Sequence, residues 1–183
     1  MRVALEAVGE QPRSFALRGE AGWWEGARVA LREPDSRLLG ALRLDLEGYR
    51  LGRRLLFRGR LAASIELVCA FCLEPFAQQF EEPFQLLLEP AEGTGEVSGP
   101  SIVLDPDDPE VGRYAGDELD FAPAVFEALA LAWPLQPRCR VGCGGLCPTC
   151  GRNRNLEPCD CPDRTRSSPF ADLAARLERA RSS

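Results

Sequence analysis

The 183-residue chain contains no histidine and no lysine, and Met1 is its only methionine. Without histidine there is no imidazole base, no Ser-His or Cys-His nucleophile and no mixed Cys/His metal site. Any site must be built from sulfur or carboxylate. Without lysine, all 22 basic residues are arginine; a GC-rich genome produces that bias as readily as thermophily does, so it carries no functional weight. Long apolar runs are missing as well. No stretch approaches the roughly 18 apolar residues of a membrane span, and Met1-Arg2-Val3-Ala4-Leu5-Glu6 holds no apolar leader core. The reading is a soluble cytoplasmic protein, long enough for one ordinary domain with a real core and a small appendage.

Cysteine is abundant by contrast. Six of the eight cysteines fall between Cys139 and Cys161, in the pattern Cys139-x3-Cys143-x3-Cys147-x2-Cys150-x8-Cys159-x-Cys161, and the other two form the pair Cys69-x2-Cys72. Disulfides are not needed to stabilise a chain of this length, and in a reducing cytosol paired cysteines bind metal or do redox chemistry. Zn²⁺ takes four such sulfurs at about 2.3 Å in a tetrahedron, so eight thiolates make two closed sites. Cys147, Cys150, Cys159 and Cys161 form one expected site, because Cys147-Pro148-Thr149-Cys150-Gly151 reads as a knuckle whose glycine tolerates positive φ. Cys69, Cys72, Cys139 and Cys143 complete the second, tying the strand region to the end of a helix. The rivals are one zinc on four of the six C-terminal cysteines, an iron–sulfur cluster, which sulfur-only ligation also suits, and a redox dithiol at Cys147 and Cys150. The last lacks a following helix.

Charge is unevenly placed. Residues 1–137 carry 13 arginines against 23 acids, net −10, and residues 138–183 carry 9 against 5, net +4. A four-cysteine zinc site adds about −2, which leaves the tail mildly basic.

Periodicity predicts an α+β protein. The first ninety residues read as strands: Leu55, Phe57, Leu61, Ile65 and Leu67 alternate with Arg54, Arg58, Arg60, Ser64 and Glu66, with a bend at Gly59. Leu38 to Leu46 alternates likewise, Gly48 is expected in the turn joining the two, and 76–88 is the next strand. Cys69 and Cys72 then lie at a strand end. Gly, Pro and acid dominate about 89–118, expected as an acidic loop. A helix is predicted over about 120–133, with Asp120 as cap, Pro123 in the first turn and Phe121, Val125, Leu129 and Trp133 on one face. Ser168-Pro169 opens a C-terminal helix over about 169–181. The expected division is a β-rich body, 1–137, and a Cys-rich zinc segment with its C-terminal helix, 138–183. Trp23, Trp24 and Trp133 read as core or shielding aromatics.

Three stretches in order carry a resemblance: Cys-x2-Cys-Leu-Glu-Pro-Phe at 69–76, an Asp-x-Leu-Asp helix ending in Leu-Ala-Trp-Pro-Leu at 117–135, and the cysteine block from 139 to 161. From about Leu38 onward the chain resembles the bacterial YceD family, the large ribosomal RNA subunit accumulation proteins. The resemblance implies a non-enzymatic factor needed for normal levels of large-subunit (23S) ribosomal RNA. Phe71 stands where the family usually has an arginine, so an RNA contact assigned to that arginine has no counterpart here.

The expected function is therefore ribosome biogenesis without catalysis, with one or two structural Zn²⁺ ions. The expected partner is precursor large-subunit RNA or an assembling large subunit, with a basic ribosomal protein as a further partner for the acidic body. Arg54, Arg58 and Arg60, with Arg152 and Arg154 around the knuckle, are the RNA-contact candidates; the plainer reading of strand arginines is a solvated face. The competing class is a zinc-ribbon nucleic-acid-binding or transcriptional module.

Overall fold

The computed structural model describes residues 1–91, 102–105 and 108–161. The C-terminal helix expected at about 169–181 lies outside them. The chain divides into two compact units, one made of Met1–Ala70 and Glu74–Val141, the other of Phe71–Leu73 and the chain from Gly142.

The larger unit is α+β. Its order is β1 (Arg2–Ala4), a 3-10 turn (Leu5–Ala7), β2 (Arg13–Gly19), α1 (Ala21–Ala30), β3 (Arg37–Leu38), β4 (Leu42–Leu51), β5 (Arg54–Val68), β6 (Pro75–Pro90), β7 (Ile102–Asp105), β8 (Asp108–Tyr114), β9 (Glu118–Asp120) and α2 (Ala122–Ala132). Among the described residues, seven strands form one sheet in the order β2-β4-β5-β6-β8-β7, with β3 also pairing β5, and β1 pairs β9 separately. Among the described strand pairs, β6–β8 is the parallel one and the others are antiparallel.

The alternation in β5 sorts its faces as expected. Leu55, Phe57, Leu61, Ile65 and Leu67 are buried, while Arg54, Arg58 and Arg60 point outward. Cross-strand partners bring Leu42, Leu44 and Leu46 from β4 and Phe80, Phe84, Leu86 and Leu88 from β6 into the same core. Burying each such side chain stabilises the fold by about 1.5–3 kcal/mol relative to exposure. Gly48 departs from expectation, because it sits inside β4 opposite Phe57 and not in the turn. A Cβ there would lie 2.5 Å from the Phe57 ring; the glycine makes room for an aromatic. The turn is Gly52-Arg53, where Gly52 takes φ 62 between the paired Leu51 and Arg54, as a two-residue hairpin loop requires.

The all-strand reading of the first ninety residues fails at α1. Trp24 and Ala27, three residues apart, are the buried face of that short helix, and Gly22 and Gly26 blur its helical signal. Trp24 donates its indole N–H to the Ser36 carbonyl at 3.4 Å and stacks on Trp133, whose ring stacks in turn on Phe80. The tryptophans are core aromatics.

The acidic loop expected at about 89–118 is also corrected where it is described. It carries β7, β8 and the start of β9, with β8 held by β6 through the pairs Leu87↔Val111 to Pro90↔Tyr114. Pro109 precedes that ladder, so its missing N–H costs no bond to β6. The α2 helix keeps its expected buried stripe but is shorter than expected, Ala122–Ala132, with Phe121 and not Asp120 in the N-cap position. Phe121, Val125 and Leu129 are fully buried, Asp120 accepts the Ala122 amide at 2.9 Å, and the extended Trp133 before Pro134 ends the helix.

Candidate metal centres

The eight cysteines gather into two groups of four, Cys69, Cys72, Cys139 and Cys143, and Cys147, Cys150, Cys159 and Cys161. Within each group the sulfurs all lie within 4.8 Å of one another, and none is in a disulfide. A tetrahedron with metal–sulfur bonds of about 2.3 Å has edges of about 3.8 Å, so either set fits a tetrahedral ion. The spacing argument and the geometry select the same partition.

Cys69 follows the last residue of β5 and is fully buried, as is Cys72 to within 3%. The Cys69 amide bonds the Glu74 carbonyl at 2.9 Å, closing the turn between β5 and β6. Leu73, which follows Cys72, takes the left-handed φ of 61. The Cys139 amide points at Cys69 Sγ at 3.5 Å.

In the second group the Gly151 amide returns to the Cys147 carbonyl at 2.9 Å, with Gly151 at φ 74, the knuckle expected from the Pro-Thr-Cys-Gly run. Cys147 donates its own amide to the Arg152 carbonyl at 2.7 Å, and Arg154 donates to the Gly145 carbonyl at 2.9 Å. Residues 145–147 and 152–154 thus form a miniature antiparallel ladder around the Leu146–Asn153 bridge. Leu146 further donates its amide to the Phe71 carbonyl at 2.8 Å. Phe71, between Cys69 and Cys72, contributes here through its backbone carbonyl.

Backbone amides of Cys150 and Thr149 directed at Cys147, helped by hydrogen bonds from the Cys159 and Cys150 thiols and opposed by burial, lower its thiol to about 6. Cys161 behaves oppositely: its hydrogen bond with Cys150, then burial and the neighbouring sulfurs, push it up to about 12. One thiolate forms readily and a later one is resisted. A dication among the sulfurs removes that resistance, which is how a four-thiolate set selects a metal.

Two further residues touch the sulfurs: Asn155, which the sequence did not single out, and Arg154, expected there only as an RNA contact. Asn155 Nδ2 donates to Cys143 Sγ at 3.3 Å and to Asn153 Oδ1 at 2.8 Å, while Asn155 Oδ1 accepts the Gly144 amide at 2.8 Å. Those partners fix which way the amide faces. Arg154 Nη2 lies 3.8 Å from Cys147 Sγ. The nearest signal was the Asn-Arg-Asn run inside the cysteine block.

The arginine candidates are not one patch of bare charge. Arg54 pairs with Glu89, Arg60 lies 3.3 Å from Glu81 and opposite Asp45, and Arg58 faces Glu47 across the β4–β5 register. Arg152 is exposed beside the second cysteine group, where Arg154 turns toward sulfur. Among the described residues no helix is long and apolar enough to cross a membrane.

A protein-family model described as "Large ribosomal RNA subunit accumulation protein YceD" matches residues 57–175. Uncharacterized proteins from two strains of Mycobacterium tuberculosis and from Mycobacterium bovis are each 31% identical over 118 residues, covering 64% of this chain and 53% of theirs. The chain spans about half the length of the curated relatives it matches. No solved structure matches it.

Proposed function

The chain belongs to the YceD family, the large ribosomal RNA subunit accumulation proteins, and on that premise we propose that it is a non-catalytic factor supporting accumulation of 23S ribosomal RNA. It acts in the cytoplasm, on precursor large-subunit RNA or on the assembling large subunit, where a basic ribosomal protein is a further partner for the acidic body. Both cysteine groups hold structural Zn²⁺. The observation that carries this reading is that the matched residues, 57–175, contain all eight cysteines of the two groups. Four sulfurs saturate a tetrahedral ion and leave no position for water or substrate, which is the chemistry of a scaffold.

The paired and opposed arginines of β5 favour a modest electrostatic contribution from that face. Arg152, exposed beside the second cysteine group, and Arg154 are the knuckle candidates, while Arg54, Arg58 and Arg60 contribute to a phosphate contact only where the acids paired with or opposite them give way.

Gradient sedimentation of cell extract tests the function: the protein is expected with large-subunit precursors. A protein that stays at the top of the gradient and binds duplex DNA is a regulator instead. Elemental analysis tests the metal, with two zinc ions per chain and a colourless protein expected; iron with visible absorbance overturns zinc.

A further inference from the structure

Adjacent residues reach sulfurs of different groups. Asn155 donates to Cys143 of the first group, and Arg154 lies against Cys147 of the second. Arg154 ends one strand of the miniature ladder and Asn155 follows it directly, while the other strand, 145–147, follows Cys143 and ends at Cys147. Cys143 and Cys147 are therefore joined twice, through the backbone between them and through the Arg154-Asn155 pair across the ladder.

The backbone bonds strengthen the link. Leu146 is held by Phe71, which lies between Cys69 and Cys72 of the first group, and Cys147 is held by Arg152. The Gly144 amide is bound by the Asn155 side chain, so the chain leaving Cys143 is fixed by the residue that also contacts its sulfur.

We infer that Asn155 is a positioning residue that couples the two cysteine groups, so that metal in one raises the affinity of the other. This rests on the reading that both groups bind metal. An ion in the second group fixes Cys147 and Cys150 and closes the ladder; closure sets Asn155 against Cys143 and removes freedom that the first group would otherwise lose on binding its own ion. The effect is reciprocal by linkage. Hydrogen-bond donors to ligating atoms typically change metal affinity by about 10–100-fold.

The test is a cycle on the full chain, with Zn²⁺ as the probe, chelator competition for affinity and native mass spectrometry for the number of ions bound. Cys72→Ser empties the first group without touching a sulfur that Asn155 contacts. It is expected to weaken zinc at the second group by about tenfold. In an Asn155→Ala background the same change should leave the second group's affinity where Asn155→Ala alone puts it. Equal second-group affinities in wild type and Cys72→Ser overturn the coupling while leaving two zinc ions per chain intact, and an undiminished Cys72→Ser effect in Asn155→Ala removes Asn155 from it. A wild-type chain that binds no zinc overturns the metal reading itself, and the coupling with it. Should Asn155→Ala fail to fold, the comparison of wild type with Cys72→Ser still decides whether coupling exists.

Discussion

Leu73 and Gly151 occupy the same place in two knuckles: each follows the second cysteine of a Cys-x2-Cys pair, and each is left-handed, at φ 61 and φ 74. Glycine adopts that conformation freely, whereas a leucine there is strained by about 1–2 kcal/mol. Leu73 is 61% exposed, so its side chain contributes little packing. Leu73→Gly is expected to stabilise the protein by about 1 kcal/mol and Gly151→Leu to destabilise it by a similar amount. Urea midpoints at constant m-value measure both.

Gly48 is the converse case, a glycine required by a neighbour. Gly48→Ala places a methyl against the Phe57 ring and is expected to cost about 1–3 kcal/mol, as overpacking does. Pairing it with Phe57→Leu should recover part of that loss; a double variant no more stable than the sum of the singles would place the strain elsewhere.

In α2 two leucines separated by one residue have opposite roles. Leu129 is fully buried and Leu131 is 81% exposed. Leu129→Ala is expected to lower stability by about 2–5 kcal/mol and Leu131→Ala by less than about 0.5 kcal/mol, read from thermal or urea unfolding.

The pH response of the metal-free protein follows from the two shifted thiols. Cys147 is lowered from 9.0 to about 6, so the folded state favours its thiolate. Its contribution is complete above pH 9.0, declines as the pH falls and is lost below about 6. Cys161, raised from 9.0 to about 12, contributes below 9.0 and ceases to do so as the pH rises toward 12. Ultraviolet thiolate absorbance of metal-free protein should show one group rising near pH 6, absent in Cys147→Ser. A single rise near 9.0 in both proteins contradicts this assignment.

Removing metal should act locally. The core of the larger unit is built from leucine and phenylalanine side chains of β4, β5 and β6, whereas the Gly142–Cys161 stretch has little apolar burial of its own. Hydrogen exchange after chelation is expected to lose protection at Leu146, Cys147, Gly151 and Arg154 and to keep it at Leu44, Leu61 and Leu86. Uniform loss across both sets would mean that the ions hold the whole fold.

What could be read in advance followed from period and spacing. The two faces of β5, the buried stripe of α2 and the division of eight cysteines into fours are all patterns internal to short stretches of chain. The failures need partners that such stretches do not contain. Gly48 looks like a turn until Phe57 is placed opposite it, and β8 looks like an acidic loop until β6 offers it a parallel edge. The helix α1 buries only Trp24 and Ala27, too short a stripe to outweigh two glycines. Asn155 was invisible for the same reason: an amide side chain acquires its meaning only from the sulfur it meets.

The pairing of β1 with β9 bears on the order in which the chain folds. The β4–β5 and β5–β6 ladders join neighbours in sequence and close small loops, whereas Arg2↔Asp120 closes one of more than a hundred residues. Closure entropy grows with loop length, by about 0.6 kcal/mol for each doubling. The three-strand meander is therefore expected to assemble early and the β1–β9 ribbon late. A nascent chain can order its central strands well before β9 leaves the ribosome, but only then can β1 find its partner.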